Sequence, residues 1–564
     1  MIKTGAQIVV ETLIEQGVSD VFGYPGGQVL HIYDALYEYQ DKINHVLTAH
    51  EQGASHAADG YFRATGKPGV VISTSGPGAT NLVTGIATAM LDSVPLIAIT
   101  GNVPCSLIGK DSFQEIDIVG VTMPITKHNF FVNHIEDLAD TIREAFRIAR
   151  SGRPGPVLID IPKDVQTAKY EFENKEPKPL IAMRKATEEE IDSAVALIKE
   201  SKRPYIYLGG GAVGADISNE VQEFAERIDA VMGCTLMGIT AVPSSNPRFL
   251  GMQGMHGHYA STIAQDEADL IIALGVRFSD RATGNKARYA KNSKILHIDP
   301  DFAEINKNIP ADEGIVCDLH DAFLRIIAKI EGEKKPEWIS RVEELKRIEI
   351  EKMESDEKRA GALLCPRAAI GAINENKQAD TPVVTDVGQH QMWAAQFCEF
   401  EKKRTFLSSG GLGTMGFGLG AAIGAQVGTG KRTVLVTGDG SFGMNLNEVA
   451  TAVKYDLPIT IVVMNNGVLG MVRQWQTLFF NKHYSNTTLE RKTDFVKLAE
   501  AFGAAGARAT TKEELDEALK EAAKRSGPTI IDCVIDKDEF VLPMLPPGGS
   551  VDDIIVTKEE LNLE

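Results

Sequence analysis

The stretch GDGSFGMNLNEVATAVKYDLPITIVVMNNG, residues 438–467, decides the fold. The apolar run Thr433–Val436 reads as a buried strand ending at Gly438. Leu446, Val449, Ala450 and Val453 then recur at helical spacing. Ile459–Met464 is a second apolar run, bounded by Pro458 and Asn465. Strand, helix, strand in this order makes a right-handed parallel unit, so both strands end on the same side of the sheet. Asp439 and Asn466 therefore meet at carboxyl ends, where open α/β sheets bind ligands. A carboxylate and an amide oxygen are hard donors suited to Mg²⁺, which usually also takes substrate phosphates. Gly440 and Ser441 open the following helix, whose free N–H groups favour a phosphate. The spacing predicts a Mg²⁺–diphosphate clamp. GDG alone is an ordinary strand-to-helix turn; the Asn-Asn pair after a buried strand gives it meaning.

A chain of 564 residues suggests three or four domains, at about 150 residues each. A formal net charge of −19 argues against nucleic acid or an anionic membrane as partner. An acidic protein acting on anions needs local cations, so arginines and lysines near the motifs gain interest. The cysteines Cys105, Cys234, Cys317, Cys365, Cys398 and Cys533 form no C-x-x-C pair and are expected as free thiols in a reducing compartment. Met1–Gly5 lacks a signal peptide's apolar stretch. No apolar run approaches the ~18 residues that span a bilayer. The expectation is a cytoplasmic protein, nearly complete as written.

Three α/β blocks are expected: residues 1–167, 186–330 and 366–536, with a tail at 537–564. Glu171–Lys185 reads as a linker. The charged segment Glu331–Ala360 reads as a solvated helical connector. Composition leaves open whether the tail is disordered or closes over a site. No repeat is visible by residue identity, though the first and third blocks both look doubly wound.

Other stretches carry more. They are AHEQGASHAADGYFRATGKPGV (49–70), STSGPGATNLVTGIATAMLDSVPLIAITG (73–101), GRPGPVLIDIPKDVQ (152–166), DVGQHQMWAAQ (386–396), GGLGTMGFGLGAA (410–422) and GMVRQWQ (470–476). The Asp439/Asn466 spacing resembles the binding signature of thiamine diphosphate enzymes. The six segments together resemble the catalytic-subunit family of acetohydroxyacid synthases, through essentially the whole chain. The resemblance implies three α/β domains with parallel sheets flanked by helices, in the arrangement of thiamine diphosphate decarboxylases. The first handles the cofactor's pyrimidine, the second FAD and the third the diphosphate.

It also implies roles. Asp439, Asn466 and the carbonyl of Val468 would hold the metal. Glu51 would bond the aminopyrimidine, since a carboxyl group in a water-poor cleft can share a proton with that ring. Gly388, Gln389, His390, Gly440 and Ser441 would contact the diphosphate, the carbonyl of Gly413 would accept from the amine, and Met415 would bend the cofactor. Arg281 would meet a 2-keto-acid carboxylate, a task suited to guanidinium. Trp475 would favour 2-ketobutyrate, and Phe113, Gln114 and Lys163 would line the access channel. For FAD the matching positions are Arg153, Gly209, Gly210, Gly211, Thr235, Leu236, Met255, His256, Gly257, Arg277, Asp299 and Asp318; the flavin's role would be structural. Taken singly, Met415, Trp475 and His256 are ordinary core residues, and Arg281 with Asp280 an ordinary surface pair. Gln28, Asn102, Gly420 and the pair Gly467-Val468 depart from the family pattern or fill variable positions.

The implied reaction is acetolactate synthesis in branched-chain amino-acid biosynthesis. Pyruvate loses CO₂, and its hydroxyethyl unit joins pyruvate or 2-ketobutyrate. A homodimer or tetramer with shared sites is implied, and a small regulatory subunit is a common partner. Rivals are other thiamine diphosphate–FAD enzymes: a pyruvate oxidase, which would cycle its flavin, or a glyoxylate carboligase, which lacks the glutamate that Glu51 supplies. A FAD-free catabolic acetolactate synthase and a non-catalytic cofactor-binding protein complete the alternatives.

Overall fold

The computed structural model describes residues 1–357 and 363–561, with side chains given except at 355–357. Three six-stranded sheets follow one another along the chain, and every strand pair in them is parallel. Their central strands are apolar runs buried along their whole length: Gly69–Ser73, Leu96–Asn102, Pro204–Leu208, Leu270–Leu274 and Thr433–Gly438. Helices on both faces demand that pattern.

The first sheet runs, from edge to edge, Asn44–Leu47, Asp20–Tyr24, Gly69–Ser73, Leu96–Asn102, Val157–Pro162 and His128–Phe131. The third runs Phe406–Leu407, Val383–Thr385, Thr433–Gly438, Ile459–Asn465, Thr529–Val534 and Ala505–Ala509. Numbered within each sheet, both have the order 2-1-3-4-6-5. The duplication that residue identity hides is thus present in the topology. The middle sheet has the order 3-2-1-4-5-6, with its reversal between Pro204–Leu208 and Leu270–Leu274. Ligands bind at such reversals.

The first and third units are joined by equivalent helices, each lying between the second and third strand of its sheet. Helix Glu51–Thr65 packs on helix Phe417–Thr429 through small residues. A Cβ on Gly424 would stand 1.8 Å from the Ala57 carbonyl oxygen, and one on Gly60 2.2 Å from that of Ala421. Beside this seam, buried Arg63 pairs with Asp59 and, at 3.0 Å, with Asp92. Asp92 also accepts from the backbone N–H groups of Gly410 (3.0 Å) and Gly411 (2.7 Å). Arg277 of the middle unit donates to the Leu91 carbonyl, so all three units converge there.

The connector differs from its sequence reading. Helix Pro336–Glu357 is not merely solvated: Trp338, Val342 and Leu345 are buried in the middle unit's core. Buried Glu349 accepts from His258 Nδ1 (2.9 Å) and from the N–H groups of Tyr259 and Ala260, which begin the next helix. Residues 358–360 of the charged segment lie outside the described residues. The tail is packed as far as Leu561: Val541, Met544, Leu545 and Val556 are buried, and Leu545 N–H donates to Met255 O at 2.7 Å. The helix expected after Asp439 is broken by a single 3₁₀ turn, Leu446–Glu448, between Asp439–Asn445 and Val449–Lys454. No helix among the described residues is long and apolar enough to cross a membrane.

Candidate active site

Parallel register sets Gly438 opposite Met464, so Asp439 and Asn466 leave neighbouring strand ends together. Gly467 (φ +69°) turns the chain back, and Val468 N–H donates to Asn466 Oδ1 at 3.1 Å. Asp439, Asn466, Gly467 and Val468 line one cavity of about 520 Å³, whose wall also carries Arg491 and Lys537. Burial pushes the Asp439 carboxyl up to about 6, against the pull of backbone N–H groups and Arg491. One carboxylate, one amide oxygen and a carbonyl beside two cations fit a hard divalent cation carrying a phosphorylated group.

The turn after Val383–Thr385 forms the adjoining wall. Gln389 and His390 open helix Gln389–Phe397, with Gly388 as its cap. Gln389 Oε1 accepts from Asn466 Nδ2 at 3.4 Å, and its Nε2 donates to Gln474 Oε1 at 3.0 Å. Ser441 Oγ donates to the Val387 carbonyl at 2.7 Å. The His390 ring packs against two glycines: a Cβ on Gly388 or Gly438 would come within 2.8 or 2.9 Å of it. Burial pulls this imidazole down to about 3, and its buried Nε2 has no partner among the described residues. A buried polar atom without a protein partner leaves room for a ligand or a water there. Gly413 and Gly416 take left-handed φ values of +68° and +87° in the next loop. The Met415 methyl lies 3.9 Å from where a Gly440 Cβ would stand.

A second cluster gathers at the carboxyl end of the first sheet. Glu51 is the first residue of its helix, and its Oε2 accepts from Asn81 Nδ2 at 3.0 Å. Its Oε1 faces Gly78, 3.3 Å from that residue's Cβ position. Gln114 has φ +62°, costly for a non-glycine residue. Its backbone covers Gly76, whose Cβ would stand 2.9 Å from the Gln114 Cα. Lys163 begins the helix after Val157–Pro162, and Phe113, which precedes Gln114, is 84% exposed. Within one chain, no hydrogen bond or ion pair among the described residues joins Glu51, Gln114 or Lys163 directly to Asp439 or Asn466.

Arg281 and Trp475, in contrast, are brought together. Trp475 sits on helix Gly470–Phe479, which starts two residues after Val468, and the Arg281 guanidinium carbon is 5.7 Å from its ring centre. Arg281 also lies 3.8 Å from Asp280, with its side chain mostly exposed.

In the middle unit, Gly209–Gly211 fall at the reversal. A Cβ on Gly209 would stand 1.9 Å from the Gly275 carbonyl oxygen, so two strand ends approach as closely as backbone permits. Thr235, Met255, His256, Gly257, Arg277 and Asp299 follow strand ends of the same sheet; Leu236 and Gly238 bound a 3₁₀ turn. Asp299 is buried, and burial lifts its carboxyl to about 7. Burial lowers the His256 imidazole to about 4, and its Nδ1 is buried without a partner among the described residues. Asp318 caps the helix Leu319–Ala328. Arg153 reaches from the first unit to Asp301 (3.1 Å) and Glu304 (2.5 Å). A sheet reversal with glycines in close approach is where α/β folds of this kind bind dinucleotides.

Two groups in these walls escaped the sequence reading. Asn81 anchors Glu51; its only signal was its place in the Ser75–Asn81 glycine-rich loop. Asp386, buried and lifted by burial to about 6, accepts from Val387 N–H (2.9 Å) and Gly416 N–H (2.8 Å). It ties the Gly388 turn to the Gly413–Gly416 loop, and its signal was its position directly after a buried strand.

Three family models match: "Thiamine pyrophosphate enzyme, N-terminal TPP binding domain" over residues 3–121, the same family's central domain over 191–326, and its C-terminal TPP binding domain over 386–533. The chain is 47% identical over 565 residues to the probable acetolactate synthase large subunit of Methanocaldococcus jannaschii, covering 98% of this chain and 95% of that one. It is 45% identical to the acetolactate synthase large subunit of Corynebacterium glutamicum (98% and 90% covered). It is 41% identical to the acetolactate synthase isozyme 3 large subunit of Escherichia coli (99% and 99% covered).

Proposed function

The chain belongs to the acetolactate synthase large-subunit family of thiamine diphosphate enzymes, and from that premise we propose a residue-level account of its site. It is a thiamine diphosphate-dependent transferase that forms a carbon–carbon bond, an acetolactate synthase of branched-chain amino-acid biosynthesis. When bound, thiamine diphosphate supplies the electron sink on which a 2-keto acid loses CO₂ and passes its two-carbon unit to a second 2-keto acid.

The chain's own residues do the rest. Asp439, Asn466 and the Val468 carbonyl hold Mg²⁺, and Gln389, His390, Gly440 and Ser441 receive the diphosphate, which the unpartnered His390 Nε2 supports. Glu51 holds a proton at the pyrimidine ring nitrogen. Asn81 steadies one of its oxygens and leaves the other facing the Gly78 loop. The Gly413 carbonyl accepts from the pyrimidine amine, and Met415 supplies the apolar wall above Gly440. Arg281 takes the carboxylate of the second 2-keto acid, and Trp475 packs on its alkyl end. Gln114 and Lys163 border the entry and exclude water.

The family resemblance implies a shared site, and in this reading Glu51 of one copy pairs with Asp439 of another. The middle crevice holds FAD in a structural role. The relatives' designation as large subunits supports a smaller partner chain, and the acidic composition suits the cytoplasm.

The observation that carries this reading is Arg281 lying over Trp475, beside the helix that leaves the clamp. The test is product identification after incubation with Mg²⁺, thiamine diphosphate, FAD and pyruvate, with and without 2-ketobutyrate. Acetolactate, giving way to acetohydroxybutyrate in the mixture, is expected. Acetate with flavin reduction, or no new carbon–carbon bond, would overturn it.

A further inference from the structure

Glu448 ends the 3₁₀ turn that interrupts the helix after Asp439. Its side chain is completely buried. It does not point into the clamp but crosses to the first unit. There Oε2 accepts from Ala49 N–H at 3.1 Å and Oε1 from His50 N–H at 2.9 Å, while Thr451 Oγ1 donates to Oε2 at 2.7 Å. The two backbone donors immediately precede Glu51. The carboxylate lies against the next turn, where a Cβ on Gly53 would stand 2.1 Å from Oε1 and would displace it. Among the described residues no lysine or arginine pairs with Glu448. Burial raises its carboxyl, while Thr451, the Ala49 and His50 N–H groups and the His50 ring oppose that rise; such directed donors are strong when the acceptor is ionised. An apolar side chain would leave both N–H groups without this acceptor.

We propose that Glu448 is a positioning residue for Glu51, fixing from across the unit boundary the turn that carries it. The inference rests on the reading of Glu51 and Asp439 given above. One short segment then begins at the metal ligand Asp439 and ends on the turn of Glu51. In the two-copy site these residues serve different active sites, so Glu448 ties the geometry of one to that of the other.

The test is a double-mutant cycle on the holoenzyme with thiamine diphosphate, Mg²⁺ and pyruvate, using E448Q, E51Q and both together. Glutamine keeps the size of Glu448 but turns an N–H₂ group toward a backbone N–H. E448Q is expected to lower kcat roughly 10–100-fold, the scale of an ångström's misplacement, with little change in the KM for pyruvate. In the E51Q background it adds no further loss. Cofactor binding, followed by tryptophan fluorescence, weakens in each single variant and no further in the double. T451V, which removes one donor to the same carboxylate, gives a smaller loss of the same pattern and serves if E448Q does not fold. Losses that multiply, or a lowered melting temperature with kcat unchanged, would reduce Glu448 to a structural residue and overturn the proposal. An E51Q variant with full activity would remove the reading of Glu51 itself, and this proposal with it.

Discussion

The guanidinium of Arg281 lies over the ring of Trp475, 5.7 Å from its centre, although the two residues belong to different sheet units. The pairing holds a planar cation whose nearest carboxylate, Asp280 at 3.8 Å, is itself exposed. Such contacts contribute about 0.5–1 kcal/mol at exposed sites. The fork of donors is therefore available for a substrate carboxylate.

Arg281→Lys keeps the charge but loses the fork. The KM for pyruvate should rise about tenfold, equivalent to roughly 1.4 kcal/mol. Trp475→Leu should erode selection of the extra methylene of 2-ketobutyrate, worth about 1–3 kcal/mol in an apolar pocket. The product ratio from mixed pyruvate and 2-ketobutyrate measures this. An unchanged ratio would remove Trp475 from the substrate site.

Asp439→Asn keeps an oxygen ligand but removes the charge. Truncating one partner of a buried charged pair costs roughly 2–5 kcal/mol, so affinity for thiamine diphosphate with Mg²⁺ should fall at least about 30-fold. Titration by tryptophan fluorescence reads it directly. Chelating the metal should abolish cofactor binding in the unaltered protein and change little in the variant. Equal cofactor affinity in both proteins would place the metal elsewhere.

The seam between the first and third units predicts opposite signs for two glycine substitutions. In Gly424→Ala the new methyl would sit 1.8 Å from the Ala57 carbonyl oxygen, so the helices must separate. Overpacking of this kind costs about 1–3 kcal/mol. Gly371, inside helix Pro366–Asn376, has nothing within 4 Å of its Cβ position. Gly371→Ala should stabilise by about 0.5–1 kcal/mol. Thermal unfolding compares the two; equal melting temperatures would contradict the close contact.

These contrasts show what the chain discloses before folding. The strand pair that brings Asp439 and Asn466 together is legible because Thr433–Gly438 and Ile459–Asn465 are continuous apolar runs bounded by Gly438 and Pro458, and their parallel register follows from the crossover between them. The shared strand order of the first and third sheets is not legible, because topology survives after residue identity is lost. The connector misled through composition: its charges suggest a solvated helix, while Trp338, Val342 and Leu345, at spacings of four and three, mark the face that docks. The tail's Pro-Gly composition gave no preference, and only the buried Met544 and Leu545 decide its course. Glu448 stood within the quoted motif, yet its partners Ala49 and His50 lie some 400 residues away, beyond any local pattern.

The docked face of the connector yields a pH dependence. His258 Nδ1 and Glu349 Oε1 are 2.9 Å apart. Burial alone would lower the imidazole, but Glu349 outweighs burial and the opposing Arg367, so His258 is raised above its ordinary 6.5. Burial likewise would raise Glu349, but His258 and two backbone N–H groups hold it below its ordinary 4.5. A raised histidine stabilises fully below 6.5, and this is lost as pH climbs through its folded value. A depressed glutamate stabilises above 4.5, and this is lost as pH falls through its folded value. Both contributions are complete between those two ordinary values. The melting temperature of His258→Gln should therefore lag the unaltered protein most at pH 5–6, and the gap should narrow toward pH 9. Melting curves at unit pH steps test this, and a gap that stayed constant or widened with rising pH would mean that the pair is not ionised in the folded protein.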